Sequence, residues 1–310
     1  MTESRPHTLF SFGTLKDGHV QTALFGRTVP TSPASLAGHT TRPQPITDPA
    51  VIATSGSDVH LTLERRTGAV VEGVVLRLTD ADLAAADAYE VDDYVRRRVL
   101  LSSGESSWAY LDAKPLRPAA RIVIVGDSIA YGRCDPRGGW AARLAASHIA
   151  ANEADHRVFN LAVPGSTLTD VVEQTPALLA PRRPDTLLVA AGINDSALPL
   201  AAPAADGLTR LTDNLAALAA TALRHNARLV VAGPSWIDES RTRNYEGLRF
   251  TRERALAVRE SIRTWCAAHH IDHLDLWEPL RDRPDLLVDG LHPTPEGHRA
   301  LFRHLESLGG

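Results

Sequence analysis

The stretch RIVIVGDSIAYG, residues 121–132, decides how most of the chain folds. Ile122, Val123, Ile124 and Val125 form a continuous apolar run with no polar alternation, which predicts a strand buried on both faces. The run stops at Gly126, and Ser128 stands where the chain turns towards a helix. Similar runs recur at RVFNLAV (157–163), DTLLVAAG (185–192), RLVVAGP (228–234) and DHLDLW (272–277). Segments rich in Ala and Leu lie between them, around 139–153, 167–180, 204–226 and 248–269. A last helix is expected after Pro295, with Thr294 as its N-cap. Buried strands alternating with helices predict a three-layer α/β domain on a parallel sheet.

Before residue 118 the pattern changes. TLFSFG (8–13), AVVEGVVLRL (69–78), YVRRRVLL (94–101) and SSWAYLDA (106–113) read as strands of a mostly antiparallel meander. One short helix, DADLAAADAYE (80–90), interrupts them, and the Pro-, Ser-, Thr- and Gly-rich segment 28–58 is expected to loop over the surface. KPLRPAA (114–120), with two prolines, is the expected linker. The expected division is therefore a smaller domain over 1–117 and the α/β domain over 118–310.

Composition narrows the function classes. With a net charge of −4 and charges of both signs interspersed, the chain offers no basic face for nucleic acid and no polybasic membrane patch. No apolar stretch is long enough to span a bilayer, and MTESRPHTLF lacks the pattern of a secretory signal, so a cytoplasmic location is expected. The two cysteines, Cys134 and Cys266, are expected to be free thiols in that compartment. Small-molecule substrates are the expected partners.

Four short pieces of the second domain carry chemistry. Ser128 lies at the carboxyl end of the first parallel strand, where open α/β sheets bind ligands, and a serine hydroxyl there needs a base to act as a nucleophile. An N-cap serine would look the same in isolation. DGLHP (289–293) places Asp289 three residues ahead of His292, a spacing that lets the carboxylate accept from Nδ1 while Nε2 faces the serine. NLAVPGST (160–167) puts Gly165 after the second strand, and AGINDSA (191–197) puts Asn194 after the third. Their N–H groups, with that of Ser128, make the expected oxyanion hole. The loop GPSWIDESRTRNYEG (233–247) is expected to overhang the site, where Trp236, Arg241, Arg243 and Tyr245 either contact substrate or belong to a solvated loop. Trp140 reads as the anchor of the first helix.

GDS, the strand-end glycine, GxND and DxxHP, in this order over about residues 120–308, resemble the SGNH/GDSL hydrolase superfamily. The resemblance implies Ser128 as nucleophile, Asp289 and His292 as its triad partners, and Gly165 and Asn194 in the oxyanion hole. It also implies a flavodoxin-like sheet, no metal or other cofactor, and substrates among short acyl esters, lipids, thioesters and acylated sugars.

In the first domain, FGTL (12–15) and the later Glu90, Tyr94 and Arg96 resemble the γ-glutamylcyclotransferase (AIG2-like) family, with its Y-G-[ST]-L motif and Glu followed by Y-x-R. Over about residues 7–113, the resemblance implies a small mixed α+β barrel. Gly13, Thr14 and Leu15 would cradle a γ-glutamyl group, Tyr94 and Tyr110 would line the pocket, and Glu90 would move the proton. Phe12 departs from the motif by lacking a hydroxyl. Together the two resemblances imply a bifunctional enzyme: a serine ester or acyl hydrolase joined to a domain releasing 5-oxoproline from γ-glutamyl amides. The alternatives are an esterase or acyltransferase whose first domain only recognises substrate or packs.

Overall fold

The computed structural model describes residues 7–200 and 207–309. The chain divides into two compact units, Met1–Pro118 and Ala119–Gly310.

In the first unit the elements run β1 (His7–Ser11), α1 (Gly18–Phe25), β2 (Thr31–Pro45), α2 (Pro49–Ser55), β3 (Val59–Leu78), α3 (Asp80–Tyr89), β4 (Tyr94–Leu100) and β5 (Ser106–Asp112). The sheet order is β2-β3-β1-β5-β4. It is mixed, because β1 meets β5 in parallel at Leu9 and Trp108 while the remaining pairs are antiparallel. Leu9, Leu76, Leu78 and Ala86 close one core cluster, and Phe10, Phe12, Leu36 and Ala109 another.

The segment 28–58 is not a surface loop. It holds α2 and the 15-residue strand β2, paired antiparallel along β3. Pro33, Pro43 and Pro45 hide this strand in the sequence. They fit because β2 is an edge strand, where the missing N–H groups need no ladder partner. The single expected helix is likewise corrected to three, α1 and α2 being additional. Their sequence signal is weak because each is short: α1 spans 8 residues and α2 spans 7.

The second unit runs β6 (Arg121–Gly126), α4 (Ser128–Tyr131), α5 (Gly139–Ala151), β7 (Arg157–Asn160), α6 (Leu168–Leu179), β8 (Thr186–Ala190) and β9 (Leu198–Pro199). It continues with α7 (Leu211–Arg224), β10 (Arg228–Ala232), α8 (Glu239–Thr242), β11 (Leu248–Arg249), α9 (Arg252–His269), β12 (Asp272–Leu274) and α10 (Pro295–Gly309). Five strands form a wholly parallel sheet in the order β12-β10-β8-β6-β7, and β9 pairs only with β11. The beginnings of the expected helical segment 204–226 and of MTESRPHTLF lie outside the described residues.

Ile122, Val123, Ile124 and Val125 are all but fully buried, as a strand covered on both faces must be. Val123 and Val125 pack with Leu168 and Val171 of α6, Leu215 and Leu218 of α7, and Val258 and Ile262 of α9. By the two-residue period Ile122 and Ile124 point to the opposite face. Trp140 of α5 is completely buried, and α5 packs against α10. The strand order reverses at β6, whose neighbours are β7 on one side and β8 on the other. A crevice opens at the carboxyl end of such a switch point. Among the described residues no helix is long and apolar enough to cross a membrane.

Candidate active site

Ser128 is the first residue of α4, immediately beyond β6. Asp127 is the N-cap, and its carboxylate accepts from the Ile129 N–H at 2.9 Å. A helix leaves its first N–H groups without intrahelical acceptors, so the Ser128 N–H stands ready for an external oxygen. Gly126 lets β6 come this close to β8: a Cβ there would lie 2.0 Å from the Ala190 carbonyl oxygen. The GD of the motif therefore has a packing reason and a capping reason.

The Ser128 hydroxyl and His292 Nε2 are 2.8 Å apart, and both side chains are buried. On the other side of the ring, His292 Nδ1 meets Asp289 Oδ2 at 2.8 Å. The second carboxylate oxygen of Asp289 accepts from the backbone N–H groups of Leu291 (3.0 Å) and His292 (2.7 Å). Burial opposes charge on Asp289, but the His292 side-chain bond and these two N–H donors outweigh it and hold the carboxyl well below the usual range. The carboxylate is thus fixed in its charged form facing the imidazole.

The loop carrying Asp289 and His292 is a tight turn. The Val288 N–H donates to the His292 carbonyl at 2.8 Å, and the Asp238 N–H donates to the Gly290 carbonyl at 2.9 Å. Thr294 then caps α10 by accepting from the Gly297 N–H at 3.1 Å.

The 233–247 loop packs against the turn that carries Asp289 and His292. Trp236 is buried, and Arg243 reaches out to Glu239 at 3.2 Å. The Arg241 guanidinium donates to the carbonyls of Leu287 and Val288, clamping the segment that leads to Asp289. The Tyr245 hydroxyl donates to Asp289 Oδ2 at 3.0 Å and lies 3.3 Å from His292 Nδ1. Burial, and then the neighbouring Asp289 carboxylate, push this hydroxyl up to about 12, so it remains a donor. Sequence reasoning offered Tyr245 as a substrate contact; it is a partner of the Asp–His pair.

Gly165 sits in a turn in which the Ser166 N–H donates to the Val163 carbonyl at 3.2 Å. Its φ of +86° suits glycine, and no atom lies within 4 Å of where a Cβ would stand. The loop runs beside β6, because the Val163 N–H donates to the Gly126 carbonyl at 3.0 Å. Asn194 Nδ2 donates to the Ser166 carbonyl at 3.0 Å, tying the two expected oxyanion loops together. Asp195 adds a second tie by accepting from the Leu168 N–H at 3.1 Å.

Two carboxyls unassigned from the sequence flank these loops, Asp127 buried and Asp195 half-buried. Burial pushes Asp127 up to about 7, with the Asp195 charge adding to the rise and the Ile129 and Ala130 N–H groups resisting it. Burial likewise pushes Asp195 up to about 6, against the Leu168 N–H.

In the first unit, Gly13, Thr14, Leu15, Tyr94 and Tyr110 line one pocket with Phe12, His60 and Glu90. Glu90 caps the end of α3, and burial, with a further push from Asp87, raises its carboxyl to about 8. The Thr14 hydroxyl is 3.1 Å from the Tyr89 hydroxyl. Tyr110 donates to Asp87 at 2.7 Å, and Arg96 binds the same carboxylate through two nitrogens at 2.8 and 3.0 Å. Arg96 thus turns to Asp87 and lies over the Trp108 ring, 4.5 Å from its centroid. The His60 Nε2 and Tyr94 hydroxyl are buried without a hydrogen-bond partner among the described residues. Sequence reasoning missed Asp87 and His60, since an exposed helix aspartate and a strand histidine carry no motif of their own.

Residues 124–300 match the model of the GDSL-like lipase/acylhydrolase family, a span containing the serine, both expected oxyanion residues and the Asp–His pair. The chain belongs to the GDSL-like lipase/acylhydrolase family. Residues 9–127 match the γ-glutamyl cyclotransferase, AIG2-like family model. Esterase TesA of Pseudomonas aeruginosa is 32% identical over 137 residues, which is 44% of this chain and 64% of that relative. The chain therefore spans somewhat less than two thirds of that relative's length. The GDSL-like unit shares its fold with solved structures. A lipase/acylhydrolase from Enterococcus faecalis aligns at TM-score 0.51 and 21% identity, covering 61% of this chain and 96% of that one. A variant of Axe2, an acetyl xylan esterase from Geobacillus stearothermophilus, aligns at TM-score 0.51 and 20% identity, covering 62% of this chain and 94% of that one.

Proposed function

We propose that the chain is a bifunctional small-molecule enzyme, a serine ester or acyl hydrolase in its GDSL-like unit and a γ-glutamylcyclotransferase in its first unit. The observation that carries the first activity is the unbroken series Ser128–His292–Asp289, with both contacts at 2.8 Å. His292 Nε2 takes the Ser128 proton as the oxygen attacks the acyl carbonyl, and Asp289 stabilises the imidazolium that forms. The Ser128 and Gly165 N–H groups and the Asn194 amide receive the developing oxyanion. His292 then protonates the leaving alcohol or thiol. A water activated by the same nitrogen releases the acid and restores the serine.

In the first unit, a carboxyl raised to about 8 supports Glu90 as the proton carrier. As carboxylate it takes a proton from the substrate α-amine while that amine attacks the γ-carbonyl. It then passes the proton to the departing amine, and 5-oxoproline is released. The uncharged walls of Phe12, Leu15 and Tyr94 keep Glu90 basic enough for both transfers.

A paired assay tests both halves. Purified protein should hydrolyse short-chain aryl esters, with turnover abolished in Ser128→Ala, and should release 5-oxoproline from γ-glutamyl amines, with release abolished in Glu90→Gln. Full ester turnover by the alanine variant would overturn the first half. A folded first unit that releases no 5-oxoproline across a broad γ-glutamyl panel would reduce it to a recognition or packing module. Acyl transfer to added alcohols or amines in preference to water would make the serine site an acyltransferase.

A further inference from the structure

Cys134 lies just beyond the short helix that carries Ser128, in the left-handed region with φ 70°. The surrounding turn is held by the Arg133 N–H to the Ser128 carbonyl (3.0 Å) and the Asp135 N–H to the Gly132 carbonyl (3.1 Å). Its thiol is free and half-buried. The sulfur, a ring nitrogen of His292 and a carboxylate oxygen of Asp289 all lie within 4.8 Å of one another. Thiolate, imidazole and carboxylate are the three ligand types that zinc accepts. The acyl-transfer cycle makes no use of the sulfur.

The Asp289 carboxylate beside the thiol attracts a positive ion. Zinc holds sulfur at about 2.3 Å and nitrogen or oxygen at about 2.0–2.2 Å, so its ligand atoms sit roughly 3.3–3.8 Å apart. Nδ1 and Asp289 Oδ2, 2.8 Å apart across a shared proton, separate by about 0.5 Å to admit the ion once that proton leaves Nδ1.

We propose that Cys134, His292 and Asp289 form an inhibitory site for a thiophilic divalent cation, with Zn²⁺ the fitting ion. On binding, the thiol loses its proton to water, and thiolate, imidazole and carboxylate each donate a lone pair to the metal; no electrons change hands. A cation on Nδ1, the nitrogen that faces Asp289, forces the ring proton onto Nε2, which can then only donate towards the serine, and the base is lost. The inhibition rests on the acyl-hydrolase reading of this site, whereas the binding does not.

The test measures binding and turnover separately. Calorimetry with Zn²⁺ on the purified full chain should show one site, and Co²⁺ should give the charge-transfer absorption of a cobalt thiolate. Cys134→Ala should weaken Zn²⁺ binding at least tenfold and abolish the cobalt–thiolate band, with metal-free ester turnover within about twofold of the parent, as for a change away from the reacting atoms. Zn²⁺ should inhibit ester turnover of the parent reversibly, with EDTA restoring it, and inhibit the variant only at concentrations at least tenfold higher. No binding by the parent, or equal binding and equal inhibition of parent and variant, would overturn the site. If the parent lacks esterase activity, calorimetry and the cobalt spectrum still decide, so failure of the metal site is distinguishable from failure of the hydrolase reading.

Discussion

Tyr245 and Asp289 are joined by a hydrogen bond of 3.0 Å on the Nδ1 side of His292, opposite the side that meets Ser128. The carboxylate therefore has four donors around it: the imidazole, the phenol and two backbone N–H groups. Such a carboxylate is held in place and held charged, which is the condition for it to orient the histidine.

Tyr245→Phe removes one of those four donors and leaves the others. A hydrogen bond to a charged group contributes about 1.5–3 kcal/mol, but the remaining donors compensate in part, so kcat should fall by roughly three- to thirtyfold. KM should change little, because the phenol faces the triad from behind. Steady-state ester kinetics check this; a raised KM with unchanged kcat would place Tyr245 in the substrate pocket instead.

Asn194→Ala removes a proposed oxyanion donor and also the tie to the Ser166 carbonyl. Ester kcat should fall by about 100- to 1000-fold. Labelling of Ser128 by a phosphonate should slow in parallel, since its transition state also develops charge on oxygen.

Asp127 and Asp195 should contribute stability to the second unit that is lost as pH rises from about 4 to about 7, against the opposite contribution of His148, His273 and His298, whose charged forms burial disfavours. Asp127, pushed up to about 7 by burial, and Asp195, pushed up to about 6, bind protons in the folded state that they have released in the unfolded state across this window. Where the folded state binds more protons, stability drops with increasing pH. The depressed Asp289 acts the other way, but its contribution is lost only below the ordinary carboxylate range, outside this window. Asp127→Asn keeps an acceptor for the Ile129 N–H and removes the charge. Its melting temperature minus that of the parent should rise between pH 5.5 and pH 8, by several degrees on the scale of ~2–4 °C per kcal/mol. Calorimetry at the two pH values is the check.

The cyclotransferase reaction should gain kcat/KM with rising pH along a limb centred near the Glu90 value of about 8, because the carboxylate form takes the first proton. Asp87→Asn should move that limb to lower pH, since the Asp87 charge is one of the two causes of the rise. A limb that stays in place would remove Glu90 as its origin.

Much of the serine site was legible because each part is a short segment whose chemistry and backbone shape coincide. Gly126 and Ser128 mark a strand end that turns into a helix, and the Asp289–His292 spacing closes within one turn. Tyr245 and Arg241 were not legible in those roles. They act on the 287–292 turn only because a distant loop folds back on it, and no local pattern records that return. The strand β2 was missed for a related reason: Pro33, Pro43 and Pro45 read as turn residues until the sheet order shows an edge that needs no donor from them. Asp127 was read only as part of a motif, and its raised carboxyl follows from burial that no single segment reveals.

The central claim is that Ser128, activated by His292, is the nucleophile. Peptide mapping by mass spectrometry after reaction with an aryl phosphonate ester measures it directly. One adduct per chain on Ser128 is the predicted result, absent in Ser128→Ala and slowed by at least about 1000-fold in His292→Ala, on the scale of losing a triad member. An adduct on another residue with loss of ester turnover, or full phosphonate resistance in an active enzyme, would contradict it.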